Sequence, residues 1–423
     1  MTRNLRFLLM VGGLAGLAAG VLQAQTVLTW QQVVDRFEAA NPALKAAQDS
    51  IAESRASEIT AHLRPNPDVN LTMDGVQISP NQGVWQPLTG VVFTPGASYL
   101  VERGNKRNLR YQAAKQSTAV SNSNYLDQER TLIFNLRSAF VQTLQAKAVL
   151  ANAQENLAYW DRELSVNRTR YQAGDIALVD LNRLEVQRFQ FESDLEAATV
   201  SLRTAKIQLR QLLNDNTPLE QFDITGPFEY SENLRPLEEF RNAALEARPD
   251  LKAAAQNVEL ARLQHQLAIA NGAADPTVSG WYSHNPSFAN PFANNTIGGS
   301  VSIPLRINDR NQGEKARTQI DIGRNEKLRD ATQAQVFSDV DSAYVALVSA
   351  VNLLKTRSKY LELAEDTRNR MQLSYQNGGA SLLDFLDSEK AYRDTRLAYI
   401  NLIGSYLTAA AQMNLAVGRE VIP

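Results

Sequence analysis

Apolar residues recur along this chain with two different periods, and the two periods alternate. Val340, Tyr344, Leu347, Val351 and Leu354 step by 4, 3, 4 and 3, while Leu150, Leu157, Leu164 and Tyr171 return every seventh residue. Sustained spacing near 3.5 predicts helices that supercoil left-handed against their neighbours. Both sets lie in proline-free runs, 105–171 and 310–375. At 1.5 Å per residue each run makes a rod of roughly 100 Å. Their other faces are rich in Gln, Asn, Arg and Glu, so the rods stand in water. A plain coiled-coil spacer would share this pattern.

Elsewhere the period is two. "VNLTMDG" sets Val69, Leu71 and Met73 against Asn70, Thr72 and Asp74, and "IGGSVSIPL" sets Ile297, Val301, Ile303 and Leu305 against Gly298, Ser300 and Ser302. Apolar residues on one side and small or polar ones on the other suit the wall of a transmembrane barrel. Trp85, Phe93, Tyr99, Trp281, Tyr282, Phe288 and Phe292 surround these runs, as an interfacial aromatic girdle would. The edge of a soluble β-sandwich is the other reading. Four strands per chain are too few for either structure, so both readings need partner chains.

These elements come in the same order twice. A helix over 30–63 or 237–271 is ended by Pro65 and Pro67 or by Gly272 and Pro276. Strands follow, then a long helix, a tight turn at Gly174 or Gly378, and a return helix over 176–213 or 381–417. Local sequence repeats with them. "NPALKAA" at 41–47 returns as "RPDLKAA" at 248–254, and "YQAGDIALVDLN" from Tyr171 returns as "YQNGGASLLDFLD" from Tyr375. A repeat of about half the chain makes each half a whole structural module. The expected division is a first repeat over 25–213, a linker over 214–236 and a second repeat over 237–423.

Composition narrows the compartment. Arg3 and Arg6 precede the apolar run 7–22 and then Ala24, the layout of a secretory signal over 1–24. An uncleaved anchor is the alternative, but 16 residues with four glycines fall short of the ~20 a span needs. No later apolar stretch is expected to reach spanning length, so entry into a membrane would use strands. The chain has no cysteine, which excludes disulfides, thiolate metal sites and an acylated N-terminal cysteine. A net charge of −2 gives no nucleic-acid signature.

With the duplication, the paired Tyr-x-x-Gly turns leading into Leu-x-Asp, and this order of helices and strands, the chain resembles the TolC family of outer-membrane efflux ducts over its whole mature length. "VERGNKRNLR" at 101–110 and "PLRINDRNQGEKA" at 304–316 are similar to segments of the CzcC-like members that serve heavy-metal efflux, with Asn105 replacing a glycine and Asp309 an asparagine. In the residues themselves both segments read as strand-to-helix elbows. The resemblance implies a mainly α protein with a small β part. It implies a homotrimer in which four strands per protomer close a twelve-stranded barrel in outer-membrane lipid, continuing into a periplasmic α-helical coiled-coil barrel. It also implies a periplasmic adaptor and an inner-membrane pump of the resistance-nodulation-division (RND) type. The function implied is passive conduction of exported metal cations or small toxic compounds. A type I secretion duct and a periplasmic coiled-coil adaptor or structural protein remain as alternatives.

Candidate site residues fall on the two turns. Asp384 and Asp387, spaced i, i+3, share one face of the last helix. Ser381 with Asp384 also reads as a capping pair. The resemblance places both aspartates at the narrow periplasmic mouth, where a trimer would gather six carboxylates around one axis, attracting cations. Family members place an Arg two residues after the second turn glycine, tied to an Asp of the neighbouring hairpin. Asp180 matches that Asp, but the Arg position holds Ala380. Tyr171, Gly174, Tyr375 and Gly378 are the expected adaptor-docking elements, although helix reversal alone would need the glycines. His62, His265 and His284 are not spaced as ligands, two falling in helices and the third in an expected loop. No phosphate loop, nucleophile elbow or His–carboxylate motif appears, so neither catalysis, a cofactor nor a resident metal is expected.

Overall fold

The structure, a computed structural model, describes residues 26–285 and 294–422. The N-terminal charged-then-apolar segment, Phe288 and Phe292 lie outside the described residues. In chain order the elements are β1 (Thr26–Leu28), α1 (Trp30–Ala40), α2 (Pro42–His62), β2 (Asp68–Asp74), β3 (Val92–Leu100), α3 (Lys106–Ala173) and α4 (Leu178–Leu212). The second half runs β4 (Phe222–Ile224), α5 (Leu237–Ala247), α6 (Pro249–Asn271), β5 (Thr277–His284), β6 (Asn295–Ser302), α7 (Gln312–Gln376) and α8 (Leu382–Val417).

The single opening helix expected in each half is two helices. Pro42 and Pro249 stand at the first helical position, where a missing N–H costs nothing, and the preceding residue is forced extended. Asn41 and Arg248 occupy the two breaks with φ near −67° and ψ of 120°. Asn41 caps α2 by accepting from the amides of Ala43 and Leu44. Arg248, 5% exposed, donates to Asp250, Asp339 and the Ala416 carbonyl, so it ties the break to α7 and α8. Two short strands add to the expected elements: β1 pairs parallel with β4 from the linker.

The four remaining strands form one antiparallel sheet in the order β2-β3-β5-β6, so each half contributes a hairpin. Among the described residues, both outer strands carry an unpaired edge. The apolar positions singled out in sequence are exposed: Val69, Leu71, Met73, Ile297 and Val301. Ile303 and Leu305 are exposed too, but lie beyond the end of β6. Trp281 lies opposite Gly96 on β3 and Gly298 on β6, and a Cβ at Gly298 would come within 2.5 Å of its ring. Glycine there lets an aromatic lie flat across the sheet.

The two long rods start alike. Asn105 and Asn311 precede them with φ of 58° and 61°, a left-handed conformation that asparagine tolerates better than most side chains. Lys106, buried at this elbow, donates to the Asp275 carboxylate at 2.6 Å and to the Ala273 carbonyl. Along α7, Val340, Leu347, Val351 and Leu354 are buried in a core shared with α5 and α8. On α3 the seven-residue set is less regular: Leu164 is buried, Leu150 and Leu157 are half-buried and Tyr171 is exposed. One expectation fails outright. A stretch of α7 is long and apolar enough to cross a membrane by length and composition, with a third of it buried inside the protomer.

Candidate hairpin-tip gate

The tips are built by the same local chemistry twice. α3 ends on Gly174 at φ 84°, with the Asp175 amide donating to the Arg170 carbonyl and the Gly174 amide to Tyr171. α7 ends through Gly378 at φ 76°, with Gly379 donating to Ser374 and Gly378 to Tyr375. Both are Schellman closures, which need a left-handed residue and so favour glycine. α4 then starts after Ala177 with no side-chain cap, whereas α8 starts with a full capping box. The Ser381 hydroxyl donates to Asp384 Oδ2 at 2.7 Å, and the Asp384 amide donates back to the Ser381 hydroxyl.

An aromatic cluster welds the two hairpins together behind the tips. Trp160, Leu164, Leu181, Leu184, Phe191, Tyr375, Leu382 and Phe385 pack from all four long helices. Phe385 stacks on Tyr375 at 5.3 Å and on Trp160 at 6.3 Å, and the Trp160 indole N–H donates to the Leu184 carbonyl. Ala380 packs against this cluster, its methyl group in apolar contact.

The two matching tyrosines have different surroundings. Tyr171 is exposed at 38%, while Tyr375 is 6% exposed, donates to Asn167 Oδ1 at 3.0 Å and lies under the Arg170 guanidinium. Burial pushes the Tyr375 phenol above its ordinary value. Its side chain therefore serves the tip core, and a docking partner would meet Tyr171, Gly174 and Gly378 at the surface. Asp384 and Asp387 are both exposed. Asp180, half-buried, lies 3.7 Å from Arg183 on its own helix. The single chain thus presents the three carboxylates at one end without joining them.

The histidines are scattered. His62 meets the Tyr111 ring edge-on, His265 Nδ1 lies 2.9 Å from Thr318 Oγ1, and His284 Nδ1 lies 2.8 Å from Asn295 Oδ1. His284 ends β5 rather than lying in a loop. Among the described residues, no group of three or more His, Cys, Asp or Glu side chains converges as a metal site.

A four-stranded sheet open at both edges, carried on two long coiled-coil hairpins of one duplicated design, defines a membrane channel protomer of the β-barrel and α-barrel kind. The model of the outer membrane efflux protein family matches residues 33–215 and 240–419, one segment in each half, and the chain belongs to that family. It is 25% identical to the cobalt-zinc-cadmium resistance protein CzcC of Cupriavidus metallidurans over 406 residues, covering 94% of this chain and 91% of that one. It is 21% identical to the pyoverdine export outer membrane protein OpmQ of Pseudomonas aeruginosa, covering 95% and 89%. Among solved structures, CusC aligns with a TM-score of 0.77 at 18% identity, covering 92% of each chain. The outer membrane protein VceC of Vibrio cholerae aligns at 0.74 and 17%, covering 93% and 97%. The protein is an outer-membrane channel that extends into the periplasm, in a family of channels rather than enzymes.

Proposed function

We propose that the protein is the trimeric exit duct of a tripartite efflux system, with divalent metal cations as its cargo. The observation that carries the duct reading is the sheet. Four strands with exposed apolar positions and two unpaired edges need closure, and three copies remove every edge. The duct supplies no energy. An inner-membrane RND-type pump drives export, and a periplasmic adaptor hairpin docks on the tips at Tyr171, Gly174 and Gly378. Asp384 and Asp387 line the narrow mouth, where a ring of carboxylates draws cations in. Metal cargo is supported by similarity to a cobalt-zinc-cadmium resistance protein along nearly the whole chain and by the 101–110 and 304–316 segments.

Deleting the gene in its host tests the cargo. Metal cargo predicts sensitivity to cobalt, zinc or cadmium, restored by the intact gene, with dye and detergent tolerance unchanged. Sensitivity to dyes and detergents with unchanged metal tolerance would move the protein to small toxic compounds.

A further inference from the structure

Just behind the aromatic cluster, the protomer buries two carboxylates that neither conduction nor docking uses. Glu163 on α3 is 6% exposed and Glu389 on α8 is 4% exposed. Each has one oxygen, Oε2, that accepts no hydrogen bond from a described group, and the Tyr159 hydroxyl beside them is likewise unmatched. Gln372 on α7 donates to Glu163 Oε1 at 2.5 Å. The cations nearby face other groups first, although Arg393 Nη1 is itself buried without a hydrogen-bond partner among the described residues. Arg368 lies 4.1 Å over the Tyr392 ring and donates to Asn369, while Arg393 pairs with Asp394 at 3.3 Å and with Asp194 on α4 at 3.8 Å. A small cavity touches Glu389 between Trp160, Phe191 and Leu386. The site therefore joins α3, α7 and α8, with α4 covering it.

We propose that Glu163 and Glu389 form a proton-operated latch that holds the inner hairpin to the outer one behind the tips. Two ionised carboxylates buried together repel each other and forgo hydration. A proton on either removes the repulsion and lets the helices close. The electrostatics agree. Burial pushes Glu389 up to about 7, with Arg368 and Arg393 drawing it down and Glu163 adding to the rise. Burial also raises Glu163, against hydrogen bonds from Gln372 and Gln376 and the charge of Arg162. Lys390 flanks the cavity from α8, and Tyr159 and Tyr392 complete the titratable surroundings.

The direction follows from linkage. Glu389 has a higher pKa when packed than the 4.5 of a solvated glutamate. The packed arrangement is thus fully favoured below pH 4.5 and weakens as pH rises through about 7. Between about pH 5 and pH 8 the ratio of loosened to packed hairpins changes roughly 70-fold. An acid periplasm tightens the tips, and a neutral one releases them.

The test uses the full-length protein in lipid nanodiscs, with spin labels on cysteines introduced at Asp175 and Asn377, one on each tip. The chain has no native cysteine to compete. Infrared titration of the same samples follows the protonated-carboxyl band. The latch predicts a band titrating near pH 7 that Glu389→Gln abolishes, and a short tip-to-tip distance that is lost on alkalinisation in wild type but retained in Glu389→Gln. Glu163→Gln, which removes the neighbouring charge, lowers the midpoint. A band that persists in Glu389→Gln, a tip distance with the same pH profile in both proteins, or an unmoved midpoint in Glu163→Gln would overturn it. None of these readouts depends on cargo or conduction, so failure here leaves the duct reading standing.

Discussion

Asp384 has two jobs in this account and Asp387 has one, and that difference makes the gate testable residue by residue. The Asp384 carboxylate accepts from the Ser381 hydroxyl and backbone amide, so Asp384→Ala removes the N3 half of the capping box as well as the proposed pore charge. Asp387 is exposed in the second turn of α8, so Asp387→Ala removes charge alone. In planar bilayers both variants, and more so the double variant, are expected to raise low-voltage conductance and weaken block by divalent cations. Only Asp384→Ala should also lower thermal stability. Conductance unchanged in the double variant would leave Asp384 as a capping residue and Asp387 with no part in the gate. At this scale the sequence was partly legible. Gly174 and Gly378 announce left-handed helix ends, because few other residues adopt φ near 80°. The different fates of Tyr171 and Tyr375 were not legible, because a repeated motif does not say which copy a neighbouring helix covers. Asn105 became intelligible only with its φ of 58°, a left-handed conformation that asparagine tolerates better than most side chains.

Among elements, the tip cluster holds the two hairpins in one body. Trp160 is fully buried, stacked on Phe385, tilted against Phe191 and hydrogen-bonded to the Leu184 carbonyl. Trp160→Ala is expected to cost about 3–5 kcal/mol at the tips, the range for removing a large buried aromatic. Hydrogen exchange should show the loss confined to α3, α4, α7 and α8 near their turns, with the sheet unaffected. Loss of protection throughout the protomer would mean that the tips and the barrel end unfold as one unit. The long helices were legible because a period of about 3.5 residues, sustained along a run without proline, is the mark of a supercoiling helix. The broken opening helices were not legible, although Pro42 and Pro249 were visible, because proline is met at a kink in a continuing helix as well as at the first position of a new one. The three-residue strands β1 and β4 carry too few residues for any period. What pairs them is contact between distant parts of the chain, which local pattern does not encode.

For the whole molecule, everything rests on how the sheet is completed. In one protomer every residue of β2 is exposed, and Ile297 on β6 is 89% exposed, an arrangement that only lipid or another strand makes stable. The glycines opposite Trp281 leave room for its broad ring against the sheet. Duplication supplies the rest. Each half brings one hairpin to the sheet and one coiled-coil hairpin to the tips, so copies related by rotation extend both layers together. The absence of cysteine makes closure directly measurable. Single cysteines scanned along Val69–Met73 in β2 are paired with cysteines along Ile297–Val301 in β6 and oxidised in intact outer membranes. The account predicts one register in which covalent products form a ladder that ends at three protomers. A ladder continuing beyond three, or no cross-link in any register, would contradict the closed trimeric barrel.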